Sequence, residues 1–169
     1  MQEWFVAGAV IEAADGSILL VQNKRRGGAL DWTPPGGVVE LEAGESVIDG
    51  LTREVNEETG LVVTGWEGPL YTVSTSAPEL GWLMHVEVHR ASVVEGELRV
   101  GDDPDGIVVD ATYVAAHLCD EHLAGGHPWV REPLLAWLER GRPLEAEVPH
   151  HRYEVHGSNL RDARIHRLP

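Results

Sequence analysis

A run of two prolines and two glycines, followed at once by an amphipathic helical pattern, constrains the fold of this sequence most. Residues 31–37 are Asp-Trp-Thr-Pro-Pro-Gly-Gly, and the paired prolines and glycines exclude a helix there. Beyond this run, apolar residues recur at helical spacing, at Val47, Ile48, Leu51 and Val55. Ser46 with Asp49 resembles a capping box, and Gly60 is a typical C-terminal stop. We therefore exclude a helix over residues 31–37 and predict one over residues 46–59.

Apolar, β-prone segments flank this helix on both sides. The predicted strands cover residues 4–11, 17–22, 61–73, 82–90 and 107–114. A hairpin turn at residues 14–16 joins the first two, and Gly65 and Gly68 make the third either one bent strand or a strand pair. A second helix is predicted over residues 129–140. Without a repeat or a linker, these elements interleave in one α/β (α+β) domain over residues 1–141.

Residues 142–169 are polar and rich in histidine and arginine. We predict a C-terminal extension packed on the same domain. Its short apolar alternation would either add an edge strand or leave the segment loosely held.

The charge balance limits the partners of this chain. Its 169 residues include 13 Lys and Arg against 28 Asp and Glu, which gives a formal net charge of −15. Neutralising the phosphates of duplex nucleic acid needs a surplus of basic residues, so a duplex is excluded as a partner. An acidic protein can still act on a phosphate when a divalent metal lies between the two.

The cysteine count and the first residues bear on the compartment. Cys119 is the one cysteine, so there is no internal disulfide and no cysteine zinc site, which favours a reducing compartment. The apolar stretch near the start has no basic region before it and is only about eight residues long, too short for a signal peptide or a membrane span. We predict a cytoplasmic protein without membrane attachment.

Three carboxylates crowd one face of the predicted helix. At ~100° per residue, Glu54, Glu57 and Glu58 share a sector of about 100°, near the helix end where the dipole disfavours negative charge. They repel one another unless a positive partner is present, and hard carboxylate oxygens are what Mg²⁺ or Mn²⁺ requires. Arg53 directly precedes Glu54, and Glu45 lies eight residues before it, so the guanidinium can orient a carboxylate. The alternatives are a solvated helical face or a structural or calcium-binding acidic helix, although the loop spacing typical of calcium sites is absent.

The spacing around these carboxylates resembles the Nudix box, G-x5-E-x7-R-E-U-x-E-E-x-G-U with U aliphatic. Residues 45–61, E-SVIDGLT-REV-N-EE-T-GL, fit every position. Upstream, seven residues instead of five separate Gly37 from Glu45, so two extra residues fall around residues 41–43. The W-x-P-P-G-G lead-in and the later DPDG loop also resemble Nudix domains.

The resemblance implies a Nudix fold, a mixed central β-sheet between helices with the box as loop, helix and loop. It also implies Mg²⁺-dependent hydrolysis of a pyrophosphate bond in a nucleoside diphosphate derivative, with Mn²⁺ as a possible substitute. A catalytically silent Nudix-fold nucleotide-binding or sensing module is the alternative. A homodimer also rests on the resemblance.

The resemblance further assigns roles to residues of the box. The implied metal ligands are Glu54, Glu57, Glu58 and a backbone carbonyl of Gly36 or Gly37. The implied catalytic residues are Glu54, Glu57, Arg53 and Glu45, with Arg53 and Glu45 as a supporting ion pair. The general base would be Glu54, Glu57 or a distal acid from Asp102, Asp103 or Asp105.

Other candidates lie outside the box. Arg25 and Arg26 are expected to meet outer phosphates, Trp32 to stack on a base and Asp103 to contact substrate. Alternatively, the two arginines lie in a solvated loop, Trp32 packs in the core and Asp103 belongs to a polar turn. His85, Glu87 and His89 point to one face of a strand and could ligate zinc or line the cleft, although a spacing of about 6.6 Å is wide for one ion.

Overall fold

Strands dominate the structure, a computed structural model that describes residues 1–169. The strands are β1 (Gln2–Val10), β2 (Ile18–Lys24), β3 (Leu30–Thr33), β4 (Gly36–Val38), β5 (Val62–Ala77), β6 (Trp82–Glu95), β7 (Val108–Val114), β8 (His150–His156) and β9 (Arg164–Leu168). The α-helices are α1 (Val47–Thr59), α2 (Cys119–Leu123) and α3 (Pro128–Glu139). Short 3-10 turns lie at Leu41–Ala43, Pro78–Leu80 and Ala116–Leu118.

The strands form two sheets. The larger sheet has the order β4-β1-β6-β5-β8-β9 and is mixed, because β1 runs parallel to β6 and β5 runs parallel to β8. Its other pairs are antiparallel. The smaller sheet, β3-β2-β7, is antiparallel throughout. The predicted α+β class with a mixed central sheet is confirmed.

Successive residues of β1 pack in two different hydrophobic clusters, one on each face of the larger sheet. Ala9 packs with Leu51 and Val55 of α1, whereas the next residue, Val10, belongs to the cluster that contains Trp137 of α3. Since successive side chains of a strand point to opposite faces, α1 and α3 lie on opposite sides of the sheet. The central sheet is therefore enclosed by helices as expected.

The helix of the box forms where the sequence predicts it. The Ser46 hydroxyl accepts a hydrogen bond from the Asp49 amide at 3.1 Å, and Gly60 ends α1 in the left-handed conformation. The second predicted helix also exists, as α3. Both helices follow from local signals, a capping residue and a terminating glycine for α1 and a proline in the first turn for α3.

The predicted hairpin over residues 4–22 is wrong in part. The turn forms, but β1 and β2 then enter different sheets. Next to the turn they are joined by the Glu12–Ile18 bridge and by the bond from the Leu19 amide to the Ile11 carbonyl at 2.9 Å. The two strands separate because each pairs with two others: β1 pairs with β4 and β6, and β2 pairs with β3 and β7. Side chains of β2 still reach both hydrophobic clusters, with Leu20 in the one that contains Trp137 and Leu19 in the one that contains Leu51.

Residues 61–73 belong to one long irregular strand rather than a pair. β5 pairs with β6, and its register shifts around Gly65 and again between Glu67 and Tyr71. These irregularities coincide with the interruptions seen in the sequence.

The C-terminal residues complete the larger sheet. β8 pairs in parallel with β5 over Thr72–Ser76, and β9 forms the sheet edge. The chain leading into β8 is held by Arg142, whose Nη1 lies 2.6 Å from Glu12 Oε2 and whose Nη2 donates to the Gly16 carbonyl at 2.9 Å. Residues 150–168 therefore extend the larger sheet, which also contains Gly36 and Gly37 in β4.

None of the helices combines the length and the apolar character that crossing a bilayer requires.

Candidate functional site

Two glycines of β4 bring the backbone against the carboxylates of α1. A Cβ atom on Gly37 would lie 2.5 Å from Glu54 Cδ, and one on Gly36 would lie 2.1 Å from the Ala7 carbonyl oxygen. A side chain at Gly36 would collide with the β1 backbone, and one at Gly37 would displace the Glu54 carboxyl. The Gly-Gly pair therefore lets β4 pair with β1 while the Glu54 carboxyl lies directly beside its backbone.

Arg53 organises the acidic side chains around it. Its Nε and Nη2 bind the two oxygens of Glu45 at 2.7 and 3.1 Å, a bidentate pair. Its Nη1 donates to Glu54 Oε1 at 3.0 Å and lies 3.3 Å from Glu57 Oε2. One guanidinium thus contacts three carboxylates, which the box spacing alone could only suggest.

The backbone before α1 completes this arrangement. The Val38 carbonyl accepts a hydrogen bond from Arg53 Nη2 at 3.3 Å, and the Glu40 amide donates to Glu45 Oε2 at 2.9 Å. Sequence reasoning missed both contacts, because backbone groups in a loop carry no residue-type signal. The hydrogen bonds from Arg53 and from the Glu40 amide lower the pKa of Glu45 to about 2, so this carboxylate stays ionised.

Glu54 and Glu58 are the buried acids of the cluster. Glu54 is 9% exposed and Glu58 is 7% exposed, and the Gly36 amide donates to Glu58 Oε2 at 3.3 Å. Burial, opposed by the Gly36 bond and reinforced by neighbouring carboxylates, raises the pKa of Glu58 to about 9. Burial also raises the pKa of Glu54, against the opposing effect of Arg53. Both carboxyls therefore have a higher pKa than an exposed glutamate.

The loop before β7 supplies two further acids. Asp103 accepts hydrogen bonds from the Asp105, Ile107 and Val108 amides, each at 3.1 Å, and so shapes the loop. Its charge contributes to the raised pKa of Glu58, and that of Asp105 to the raised pKa of Glu54. Asp102 instead pairs with Arg99 at 2.8 Å. Of the three distal acids, Asp103 and Asp105 are therefore the ones placed to act electrostatically on the box.

This cluster fits a divalent cation of the Mg²⁺ type. The donors are hard oxygens, and Gly37 leaves the space beside the Glu54 carboxyl free of a side chain. No three His, Cys, Asp or Glu side chains converge closely enough to hold an ion by themselves. Mg²⁺ does not require that, since it commonly uses one or two carboxylates and takes its remaining ligands from water and substrate phosphate.

Metal-free protein should lose stability as the pH rises, because of Glu58. A folded-state pKa raised to about 9 means that the neutral form contributes stability fully below pH 4.5, and that this contribution is lost as the pH approaches 9. In EDTA we expect the Tm to fall by at least ~3 °C between pH 6 and pH 9. Glu58→Gln should flatten this dependence, and an unchanged pH slope in that variant would contradict the prediction. Thermal denaturation across the pH range measures both.

Some of the residues predicted to bind substrate instead contact other residues of the protein. Arg25 forms a bidentate pair with Asp31, with Nε–Oδ2 at 2.9 Å and Nη2–Oδ1 at 3.0 Å. Arg26 is exposed and forms no salt bridge. Trp32 is half-buried against the α3 cluster and meets the His122 ring edge-on, with 5.6 Å between centroids. Of the two arginines, Arg26 is therefore the one whose charge is free to meet an anion.

The three residues of β6 considered as a zinc site, His85, Glu87 and His89, do not converge on one point. His89 is buried and its Nε2 lies 3.0 Å from Glu87 Oε2, while His85 lies 3.7 Å from Glu3 and stacks on Phe5. His89 and Glu87 thus contact each other, whereas His85 contacts residues of β1. They do not form a metal centre, consistent with the wide spacing along the strand.

Comparison with known proteins identifies the family that this fold and this acidic cluster define. A family model described as the NUDIX domain matches residues 4–138. The chain belongs to the Nudix family, as the spacing of the box predicts.

Two curated relatives and two solved structures illustrate the likeness. An uncharacterized Nudix hydrolase of Bacillus subtilis, YvcI, is 47% identical over 49 residues, 29% of this chain and 28% of that protein. An ADP-ribose pyrophosphatase of Methanocaldococcus jannaschii is 36% identical over 91 residues, 53% of this chain and 51% of that protein. The chain thus spans between about a quarter and a half of the length of these relatives.

The structural likeness extends over most of the chain. The MutT protein of Bacillus halodurans superimposes with a TM-score of 0.65 at 23% identity, covering 96% of this chain and 97% of that one. A MutT Nudix hydrolase of Burkholderia pseudomallei gives 0.59 at 29% identity, covering 69% and 86%. These matches include the two-sheet fold that positions the box.

Proposed function

We propose that the protein hydrolyses a pyrophosphate bond in a nucleoside diphosphate derivative, with Mg²⁺ or Mn²⁺ as cofactor. The observation that carries this proposal is the Arg53 guanidinium that orders Glu45, Glu54 and Glu57 beside the buried Glu58. A solvated helical face would not bury two of its acids against a glycine backbone.

The residues divide into two roles under this proposal. Glu54, Glu57, Glu58 and a carbonyl of Gly36 or Gly37 would supply the metal ligands, one or two carboxylates to an ion, and the bound metal would polarise phosphate oxygens and acidify its water. Glu54 or Glu57 would accept the proton of the attacking water. Arg53 and Glu45 are positioning residues, since the bidentate pair fixes the guanidinium that in turn orients both acids.

The alternative function is a catalytically silent nucleotide-binding module. A module of this kind has no need of a complete carboxylate set, yet every acid of the box is present. The similarity to an ADP-ribose pyrophosphatase also favours an enzyme that acts on phosphate anhydrides. Binding of a nucleotide without turnover would support the silent module instead.

Turnover should depend entirely on a divalent metal. We expect a panel of nucleoside diphosphate derivatives with Mg²⁺ to include substrates that are cleaved at the anhydride, and excess EDTA to abolish the reaction until Mg²⁺ or Mn²⁺ is restored. The rate should rise from neutral to alkaline pH, as an ionised base and metal-bound hydroxide are both favoured there. Phosphate detection and product identification measure this, and unchanged turnover in EDTA would rule out the metal mechanism.

We also propose a cytoplasmic location and allow for a homodimer. The lone buried Cys119 suits a reducing compartment. Sedimentation velocity decides the oligomeric state.

A further inference from the structure

The hairpin formed by β8 and β9 differs in charge from the rest of this acidic chain. Between residues 150 and 168, four of the 13 basic residues lie beside only two of the 28 acidic ones, Glu154 and Asp162. Four of the nine histidines lie there as well. The β8–β9 hairpin, defined as residues 150–168, is therefore locally positive in a protein whose formal net charge is −15.

The arginines of this hairpin form no salt bridge with a glutamate or aspartate of the protein. Every arginine outside the hairpin, apart from Arg26, forms such a pair. Within the hairpin, Arg152 donates to the Pro169 oxygen at 3.4 Å, and Arg167 Nη2 lies 3.5 Å from His151 Nδ1. The arginines at positions 152, 161, 164 and 167 are all exposed, so an acidic partner can reach them.

One side of β9 has no strand partner. β9 pairs with β8 over Arg164–Leu168 and is the last strand of the larger sheet. Alternate residues of an edge strand direct their N–H and C=O groups away from the sheet, and a further extended chain can pair with these groups. The backbone of β9 therefore offers a site for strand addition.

Positive side chains lie on both faces of this edge. Arg167 lies on the α3 side, because Tyr153, its partner in the register, donates to Glu132 of α3 at 3.0 Å. Since side chains alternate along a strand, Arg164 and Arg152 point to the opposite face. A strand added beside β9 also presents its side chains to both faces, and opposite charges on neighbouring strands stabilise the pairing. The edge therefore suits a segment with acidic residues on both faces.

Other occupants fit this edge less well. Single-stranded nucleic acid is usually bound by stacking of bases on aromatic rings, and the one Phe, Tyr or Trp of the hairpin, Tyr153, is buried. A second copy that paired β9 with β9 would bring like charges together, which is destabilising. Charged residues also protect edge strands from unwanted pairing, but positive charge gives no protection against an acidic strand.

We propose that β9 binds an extended acidic segment of a partner protein, which joins the larger sheet as a strand beyond β9. The backbone groups of β9 hold this segment, and Arg164 and Arg167 select glutamate or aspartate on its two faces. The Debye length at physiological ionic strength is about 8 Å, so the negative charge elsewhere on the protein opposes this binding only weakly.

The probe is a fluorescein-labelled peptide of about ten residues, made of glutamate, valine and threonine, with glutamates at both odd and even positions. We expect saturable binding to the full chain in EDTA without nucleotide, measured by fluorescence anisotropy, and NMR shift changes at the amides of β9. Arg164→Glu with Arg167→Glu should weaken the affinity about tenfold or more, because attraction becomes repulsion. Arg26→Glu, the same change at an exposed arginine outside the hairpin, should leave the affinity within about twofold.

A second peptide separates strand addition from plain attraction of charge. N-methylation of every backbone amide keeps the carboxylates but removes the donors that pair with β9, so the affinity should fall about tenfold or more. Equal binding of the methylated peptide, or no binding of the acidic peptide, would overturn the proposal. So would tighter binding of a uridine oligonucleotide, or a wild-type dimer that the double variant dissociates. Circular dichroism checks the fold of the double variant, and the NMR shifts of the wild type test the site without any substitution.

Discussion

Replacing Glu54 by Gln should lower kcat about a hundredfold or more while the protein stays folded. The carboxyl lies between the Gly37 backbone and the Arg53 guanidinium, so glutamine fills the same volume and still offers Arg53 an acceptor oxygen. The change removes the charge that would hold a divalent ion or take a proton from water, and each role is worth orders of magnitude in rate. Steady-state kinetics at saturating Mg²⁺, with circular dichroism as the check on folding, measure the effect.

A matched substitution elsewhere tests whether the loss of turnover comes from the candidate site. Glu139→Gln makes the same chemical change at an exposed position near the end of α3, and it should leave kcat unchanged. Because burial opposes ionisation of Glu54, its glutamine variant should also be at least as stable as the wild type without metal. Near-wild-type turnover in Glu54→Gln would remove Glu54 from the catalytic set.

Replacing Arg53 by Ala should lower kcat about a hundredfold while changing KM less than about threefold. Arg53 contacts Glu45, Glu54 and Glu57, so its loss frees acids that must keep a fixed geometry. Misplacement of a catalytic group by ~1 Å can cost a hundredfold in rate without weakening substrate binding. The ratio of the change in kcat to the change in KM is the decisive quantity.

Two further variants make the Arg53 experiment specific. Arg53→Lys should remain impaired, because one ammonium cannot reproduce the bidentate contact with Glu45 together with the bonds to the other acids. Arg131→Ala removes an arginine whose Nε donates to Asp120 at 2.7 Å on the protein surface, and it should leave kinetics unaltered. A raised KM with normal kcat in Arg53→Ala would instead mark Arg53 as a substrate contact.

Local signals explain why the helix of the box and its family could be predicted. Ser46 and Gly60 delimit α1 through contacts with their near neighbours, and the spacing of residues 45–61 is itself a local property. Glu54, Glu57 and Glu58 are the same residue type in the sequence, but they lie in different environments in the structure. Burial of Glu58 depends on Gly36, 22 positions away, and on the loop around Asp103, so helical geometry alone could not rank the three acids.

The parts that sequence reasoning got wrong or left open depend on contacts between sheets. β1 and β2 separate because each pairs with two other strands, and an unbroken apolar run does not show which neighbour it will pair with. Likewise, Arg25 meets Asp31 because β2 and β3 pair with Asn23 opposite Asp31. Strand register of this kind was not predicted, and so a paired arginine was taken for a free one.

The position of β5 has a consequence for synthesis of the chain. β5 and β6 can pair as soon as both are made, but the other side of β5 over Thr72–Ser76 is covered only by β8, more than seventy residues later. Until residues 150–154 leave the ribosome, the backbone donors and acceptors on that side have no strand partner. An uncovered edge recruits other chains. Nascent protein arrested before β8 should therefore be prone to aggregation and dependent on chaperones, even with every residue of the box already in place.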